Sequence, residues 1–254
     1  MKTVFHPTIA FSEFDFYQQY DNLNRLTGFA GKSAVYDTKG NLTSKSDVGG
    51  FAYQTPGKPY AISGVTTSSD AVPLRNQAVT YSSFKRPLSI SEGNYTANFT
   101  YNGGHERVKM EVRNNGALEL TRYYIGGQYE IDEQTVGGTR QKLYLGGDYY
   151  SAPAVYVKEG QGSWQLYYIC RDYLGSITHV TAGSGPVIQE LSYDAWGRLR
   201  NPATQTAYAP GSEPVPFLGR GYTGHEHLAM FGLINMNARL YDPAVGRFLS
   251  PDKL

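Results

Sequence analysis

Apolar and polar residues alternate with a period of two through the middle of the chain. In "NYTANFTYN" the positions Tyr95, Ala97, Phe99 and Tyr101 fall on one side, and Thr or Asn fills the positions between them. This alternation is typical of antiparallel strands with one buried face. Helical periodicity is scarce. The stretch "EHLAMFGLINMNARL" is interrupted by Gly232, so we expect a strand there, or a short turn that feeds a strand.

One short phrase recurs between these alternating stretches. It occurs as "YDNLNRL", "YDTKGNL", "YDAWGRL" and "YDPAVGRFL". In the second copy, the Asp37 side chain can accept hydrogen bonds from backbone N–H groups two or three residues further on, and Gly40 can take a positive φ. The phrase therefore predicts a turn between strands. The predicted turn motif comprises Tyr20, Asp21, Tyr36, Asp37, Gly40, Tyr193, Asp194, Gly197, Tyr241, Asp242 and Gly246.

Looser copies of the phrase give the spacing of the repeat. "YSSFKRPL" and "YNGGHERV" begin 20 residues apart, as do "YYIGGQYE" and "LYLGGDYY". An interval of about 16–22 residues fits one hairpin per repeat. We therefore predict an all-β fold of antiparallel β-hairpin repeats that form a curved strip or partial shell. Such a strip leaves edge strands unpaired, so we also expect self-association.

Composition excludes several classes of protein. The chain of 254 residues carries 23 basic and 22 acidic residues without a block of one sign, which argues against a nucleic-acid-binding surface. The single cysteine, Cys170, excludes an internal disulfide, and we expect it to be a small buried hydrophobic residue. The N-terminus lacks a signal-peptide pattern, and no apolar run is long enough to span a membrane.

From Arg171 onward, the sequence resembles the core segment that closes RHS (YD-repeat) proteins. The family pattern runs D-x-L-G-S, Y-D-x-x-G-R, T-G-x-E, then G-L-x-x-x-x-A-R-x-Y-D-P-x-x-G-R-F and S-x-D. The resemblance is strong over about the last 85 residues and weak in the phrases upstream. The matching residues are Asp172, Leu174, Gly175, Ser176, Thr223, Gly224, Glu226, Gly232, Leu233, Ala238, Arg239, Tyr241, Asp242, Pro243, Gly246, Arg247 and Phe248.

The resemblance implies a strip of hairpins that spirals into a hollow shell. Members of the family include bacterial polymorphic toxins, insecticidal toxin complexes and the cell-surface teneurins. We accordingly expect YD-repeat hairpins over residues 1–160 and the core segment over 161–254. The implied role is a scaffold, a fragment of a larger secreted or cell-surface shell. Its implied partners are the rest of that shell, a C-terminal toxin domain, an immunity protein or a carbohydrate.

Catalysis is the competing interpretation. Many relatives cleave themselves with aspartates, and Asp242 and Asp252 are the candidate pair here. The cleavage signal that usually follows the core is not present before Leu254, so we expect no catalytic activity from this chain. The histidines of "GHEH", His225 and His227, lack a third ligand, and we expect surface polar residues rather than a metal site. We predict no cofactor.

Aromatic residues leave a third interpretation open. Trp164, Trp196 and the many tyrosines could form a carbohydrate- or protein-binding surface. The periodicity favours instead cross-strand pairs that stabilise the sheet, at about 0.2–1 kcal/mol each.

Overall fold

A computed structural model describes residues 18–29, 31–67, 72, 76–209 and 211–250. The described residues divide into two compact units. The first belongs to Met1–Leu74 with Ala203–Gln205, and the second to Arg75–Pro202 with Thr206–Leu254. The sequence-based division between residues 160 and 161 concerns the type of repeat and stays a prediction.

The first unit contains a six-stranded antiparallel sheet in which each strand pairs with the next along the chain. Phe29, Leu42 and Phe51 are buried on it. The ammonium group of buried Lys45 lies 2.7 Å from the Asp47 carboxylate, which compensates its charge. The strands are β1 (Gln19–Tyr20), β2 (Leu26–Phe29), β3 (Lys32–Tyr36), β4 (Leu42–Lys45), β5 (Gly49–Ala52) and β6 (Gly64–Thr67).

An eleven-stranded antiparallel sheet dominates the second unit, and its spatial order is again the order of the sequence. Its strands are β7 (Ala78–Tyr81), β8 (Pro87–Glu92), β9 (Tyr95–Tyr101), β10 (Arg107–Asn114), β11 (Ala117–Ile125), β12 (Tyr129–Gln134), β13 (Gly138–Leu145), β14 (Ala154–Glu159), β15 (Gln165–Arg171), β16 (Ile177–Ala182) and β17 (Val187–Glu190).

The period-two pattern explains which face of this sheet is buried. In β9, Ala97 and Phe99 are buried, whereas Asn98 and Thr100 are exposed. Met110 on β10 pairs directly with Phe99 and is buried on the same face. The apolar face therefore follows from the sequence alternation, as expected for strands that are wet on one side.

The chain from Ser192 onward forms two smaller sheets. One pairs β18 (Ser192–Tyr193) with β19 (Leu199–Arg200). The other orders β20 (Glu226–Leu228), β21 (Leu233–Met236), β22 (Arg239–Asp242) and β23 (Arg247–Phe248). Short 3₁₀ turns lie at Tyr222–Gly224 and Ala229–Phe231.

The four-stranded sheet packs on the buried face of the eleven-stranded sheet. Leu228, Leu233 and Leu240 from the four-stranded sheet share a hydrophobic cluster with Phe99 and Met110. All five side chains are at most 4% exposed. This packing brings the last strands of the described chain against strands that precede them by more than a hundred residues.

The all-β antiparallel hairpin fold is confirmed. The stretch from Glu226 forms a strand, a short turn that ends at Gly232 with φ +58°, and a second strand, as the interrupted pattern predicts. No helix among the residues that the structure describes is long and apolar enough to cross a membrane.

Self-association should involve the outer strand β17. Among the described residues this strand ends the large sheet, and its Val187 and Ile188 side chains are 59% and 45% exposed. Exposed apolar edges recruit other strands, and a lysine there opposes pairing. We expect concentration-dependent association of the wild-type chain in sedimentation velocity, and weaker association of Val187→Lys.

The control for this experiment is Val136→Lys. Val136 is 88% exposed but lies in the turn between β12 and β13, away from the edge. A wild-type chain that stays monomeric at high concentration would contradict the prediction, as would equal effects of the two substitutions.

Candidate functional site: the turn motif and a buried ion network

The Tyr-Asp phrase forms a five-residue turn that its aspartate holds together. Asp37 Oδ1 accepts hydrogen bonds from the backbone N–H groups of Lys39 and Asn41, both at 2.8 Å. The Gly40 N–H donates to the Asp37 carbonyl at 3.1 Å, and Gly40 has φ +85°. A turn of this kind, with a left-handed residue in fourth place, joins antiparallel strands through a bulge. The carboxylate therefore acts as a backbone acceptor.

The same geometry occurs in other copies of the phrase. Asp194 Oδ1 accepts from the N–H groups of Trp196 at 2.8 Å and Arg198 at 3.0 Å, and Gly197 has φ +85°. Asp21 has the same pair of contacts, with Asn24 as its left-handed residue at φ +56°. The recurrence of aspartate thus follows from a repeated backbone requirement.

Three further turns use the motif with altered residues. Asp172, which no tyrosine precedes, accepts from Leu174 and Ser176 N–H groups at 2.9 and 2.8 Å. Asn102 makes the equivalent contacts at 2.9 Å, and Ser82 makes one at 3.0 Å. Sequence reasoning did not assign Asp172 to the turn motif, although its D-x-x-G spacing carried the signal.

The turn at Asp242 is one residue longer. Asp242 Oδ1 accepts from the Ala244 and Val245 N–H groups at 2.9 and 3.2 Å, and Gly246 donates to the Asp242 carbonyl at 2.8 Å. Gly246 has φ +71°, and a Cβ at this position would lie 2.6 Å from the Trp196 ring. A larger residue at position 246 would therefore both strain the backbone and clash.

Four tyrosines contact the preceding hairpin, and two of them, Tyr36 and Tyr193, open a Tyr-Asp phrase. Each hydroxyl group donates to the carbonyl of the residue that directly follows an earlier five-residue turn. The bonds run from Tyr36 to Leu26 (3.0 Å), Tyr53 to Leu42 (2.8 Å), Tyr101 to Pro87 (2.7 Å) and Tyr193 to Ile177 (3.0 Å).

Two tyrosines of the predicted motif depart from this rule. Tyr241 donates instead to the Trp196 carbonyl inside the Asp194 turn, at 2.8 Å. Tyr20 is 56% exposed and its hydroxyl contacts Gln18. In the phrases that begin at Tyr36 and Tyr193, the aspartate closes its own turn, and the tyrosine fixes the spacing to the previous turn.

A buried ion network connects the four-stranded sheet to the large sheet. Its side chains come from β10, β11, β12 and β13 and from the segment that leads into and includes β20. None is more than 10% exposed. The ion network comprises Arg107, Arg122, Glu130, Asp132, Lys142, Arg220 and Glu226.

Glu226 on the four-stranded sheet forms ion pairs with two arginines of the large sheet. Its Oε1 accepts from Arg122 Nη1 at 2.6 Å and from the Tyr124 hydroxyl at 2.7 Å. Its Oε2 lies 2.7 Å from Arg107 Nη2. Arg220 makes the second connection, with its Nη2 2.5 Å from Glu130 Oε1 on β12. Each connection bridges at least 90 residues of sequence.

Within the large sheet, Asp132 and Lys142 complete the network. Arg122 binds Asp132 through two nitrogens, at 2.5 and 2.7 Å. Lys142 Nζ lies 3.0 Å from Glu130 Oε2 and 3.1 Å from Asp132 Oδ2. The carboxylates are thus shared between neighbouring cations, which suits groups that are removed from water.

The pKa values follow from this sharing. Burial alone would raise the pKa of Asp132, but the charges of Arg122 and Lys142 outweigh it and lower that pKa to about 2. Glu226 is held below its usual pKa in the same way, because Arg107 and Arg122 outweigh its burial. Both carboxylates are therefore ionised at neutral pH, and the network is a set of charges rather than of neutral acids.

The "GHEH" segment is packed rather than displayed. His225 and His227 are half-buried and Glu226 is 0% exposed, so the expectation of surface polar residues in this segment is wrong. His227 Nε2 accepts the Tyr222 N–H at 3.0 Å, and His225 Nδ1 lies 2.8 Å from the Thr223 hydroxyl. The sequence pattern T-G-x-E identified Glu226, but nothing local signalled that its partners lie on β10 and β11.

Burial also changes the titration of these histidines. Desolvation, with the nearby charge of Arg220, lowers the pKa of His225 to about 4. Desolvation and the neighbouring His225 lower the pKa of His227 to about 4. Among the described residues, no group of three His, Cys, Asp or Glu side chains could hold a metal ion.

The remaining candidates are Cys170 and the pair of Asp242 with Asp252. Asp252 lies outside the described residues, so the proposed pair with Asp242 stays a prediction. Cys170 is exposed, and its interpretation as a buried residue is wrong, because it occupies an outward position on β15.

The aromatic candidates occupy two kinds of surroundings. Trp164 is 40% exposed, whereas Trp196 packs against Gly246. On the face of the large sheet that faces away from the ion network, Tyr129, Leu143 and Tyr156 are direct cross-strand neighbours. They form an apolar row of the kind that stabilises a sheet, and the binding-surface interpretation stays a prediction.

Comparison with known proteins gives the family context. Residues 155–254, which begin in β14 and include the four-stranded sheet, match the family model of the teneurin YD-shell. This match confirms the resemblance to RHS (YD-repeat) proteins.

Two curated relatives match more of the chain. Salivary gland surface protein 1 of Aedes aegypti is 25% identical over 175 residues, which are 66% of this chain and 5% of that protein. The tRNA3(Ser)-specific nuclease WapA of Bacillus spizizenii is 25% identical over 238 residues, 92% of this chain and 8% of that protein. The chain thus spans less than a tenth of the length of these relatives.

Two solved structures match most of this chain at low sequence identity. The crystal structure of TcdB2-TccC3-TEV has a TM-score of 0.43 and 17% identity, and the match covers 88% of this chain and 9% of that one. The crystal structure of TcdB2-TccC3 has a TM-score of 0.31 and 14% identity, covering 92% and 17%.

We predict that Tyr193→Phe destabilises the second unit by about 1 kcal/mol, because it removes the 3.0 Å hydrogen bond to the Ile177 carbonyl without changing the ring. Urea denaturation followed by circular dichroism measures the effect. The matched control is Tyr173→Phe, at a side chain that is 92% exposed. Equal midpoints for the two variants would show that the hydroxyl does not stabilise the contact between hairpins.

Acidification should destabilise the fold before the carboxylates titrate. A histidine that stays neutral in the folded state down to about pH 4 protonates near pH 6.5 in the unfolded chain. Its contribution to stability is therefore complete above about pH 6.5 and is lost as the pH falls toward 4. We expect His227→Gln, which keeps an acceptor for Tyr222 N–H, to remove a slope of up to about 1.4 kcal/mol per pH unit.

The control for the pH experiment is His179→Gln, since that side chain is 41% exposed. Free energies of unfolding from urea titrations at a series of pH values provide the comparison. An unchanged slope in His227→Gln would contradict the assignment of a buried neutral histidine.

Proposed function

We propose that this chain, an RHS (YD-repeat) protein with a YD-shell segment at residues 155–254, is part of the wall of a shell that encloses a polypeptide of the same gene product. The scaffold role is the part that the family supports directly. The enclosed polypeptide, which we infer to be a toxic effector, is the further step. A relative named as a tRNA-specific nuclease supports it, since that name assigns a nuclease activity to a much longer protein.

The observation that carries the proposal is the attachment of the four-stranded sheet to the large sheet. Glu226 and Arg220 form buried ion pairs with β10, β11 and β12, and Leu228 and Leu233 pack beside them. Attachment through both charge and packing suits a wall that must keep its shape around a guest. A site that binds and releases a small substrate has no need of it.

The recurring residues support a mechanical role in the same way. Aspartates of the phrase accept backbone hydrogen bonds, and its tyrosines donate to the preceding hairpin. These groups are committed to holding strands in register. We propose accordingly that the chain has no catalytic activity of its own.

Protection from proteolysis tests the enclosure. In the full native polypeptide that carries residues 1–254, we expect the polypeptide enclosed by the shell to survive limited digestion with proteinase K under native conditions. The same polypeptide expressed alone is the control and should be degraded. Mass spectrometry of the surviving fragments measures both.

Digestion of the guest at the same rate in both samples would contradict enclosure and favour display on the surface. Incubation of the undigested native polypeptide tests whether the chain cleaves itself. Self-cleavage that persists at neutral pH and is abolished by Asp242→Asn would contradict the proposal that this chain is only a scaffold.

A further inference from the structure

The buried ion network carries an excess positive charge. It contains four cations, Arg107, Arg122, Lys142 and Arg220, and three carboxylates, Glu130, Asp132 and Glu226. All seven side chains are at most 10% exposed. One more cation than carboxylate therefore lies away from water, and an uncompensated buried charge costs several kcal/mol.

In the residues that the structure describes, Arg107 is the cation of the network that has unpaired donors. Its Nη2 lies 2.7 Å from Glu226 Oε2, and its guanidinium carbon lies 4.3 Å from the centre of the Tyr124 ring. The side chain is 9% exposed. Its Nε and Nη1 atoms are fully buried, and neither has a hydrogen-bond partner among the described residues. Buried donors are nearly always satisfied, so two on one cation require an explanation.

A second unsatisfied group lies on the facing sheet. Asn235 on β21 is 1% exposed, and within the described part of the chain neither its Nδ2 nor its Oδ1 has a hydrogen-bond partner. Asn235 is the direct cross-strand neighbour of Glu226. Side chains of such neighbours share a face, with Cβ atoms about 5 Å apart. The amide of Asn235 therefore lies on the same side of the sheet as the carboxylate that binds Arg107.

We propose that Arg107 and Asn235 form a binding site for a small inorganic anion, of the size of a chloride ion, between the two sheets. The anion would accept hydrogen bonds from Arg107 N–H groups and from the Asn235 amide, and it would balance the charge of the network. Glu226 does not supply this balance, because Arg122 and the Tyr124 hydroxyl already share it with Arg107. An ordered water could accept the same hydrogen bonds but would leave the charge in place.

The anion would stabilise the contact between the sheets, since a ligand that binds only the folded state shifts the folding equilibrium. The halide concentration should therefore raise the melting temperature at constant ionic strength. The probe is sodium bromide or chloride, exchanged for sodium gluconate, whose anion is too large for a site among packed side chains. We expect a melting temperature several degrees higher in halide.

Variants locate the effect. Asn235→Leu has a similar volume and removes the amide, so its melting temperature should be the same in halide and in gluconate. The matched control is Asn98→Leu, at an exposed position on β9, and it should respond to halide like the wild type. A halide effect that persists in Asn235→Leu would place the anion elsewhere and overturn the proposal.

Crystals of the wild-type protein grown in sodium bromide test the site even if Asn235→Leu does not fold. We expect an anomalous bromide peak within about 3.5 Å of both an Arg107 nitrogen and Asn235 Nδ2. Absence of this peak together with equal melting temperatures in halide and gluconate would overturn the proposal and leave buried water as the partner of these groups.

Discussion

Charges removed from water between two sheets determine how the end of the described chain is attached. Glu226 on β20 binds Arg107 and Arg122, and Arg220 binds Glu130. Such pairs contribute little net stability compared with apolar packing, but removal of one partner leaves an uncompensated charge in a dry environment. The network therefore favours one placement of the four-stranded sheet, because any other placement would leave a buried charge without its partner.

Regular spacing of the hairpins has a different origin, in hydrogen bonds to backbone groups that repeat along the chain. An aspartate such as Asp37 or Asp194 closes its own turn, and a tyrosine such as Tyr36 or Tyr193 donates to the residue after the previous turn. Each bond is worth about 1 kcal/mol. Because these contacts are local, the same short phrase can be repeated without any long-range partner. The ion network, by contrast, joins the four-stranded sheet to the eleven-stranded sheet through partners far apart in the sequence.

Local contacts also decide what the sequence could predict. The all-β fold, the turn at Asp37 and the positive φ of Gly40 depend on residues within a few positions of each other, and alternation identified the buried face of β9. The burial of Glu226 depends on partners 104 and 119 residues away, so nothing near it in the sequence indicated that it is buried. The tyrosine hydrogen bonds could be predicted only in part. The repeated phrase identified the donor, but a backbone carbonyl has no signature in the sequence, so the acceptor could not be identified.

Hydrogen exchange in a Glu226→Gln variant tests most directly whether the ion network attaches the four-stranded sheet. The substitution keeps the shape of the side chain and removes the charge that Arg107 and Arg122 share, and Glu133→Gln on the exposed side of β12 is its control. We predict that backbone amides of β20, β21 and β22 lose protection equivalent to about 3 kcal/mol or more, while those of β14–β16 change less. Protection in these three strands that matches the control would contradict the account and would mean that apolar packing alone holds the sheets together.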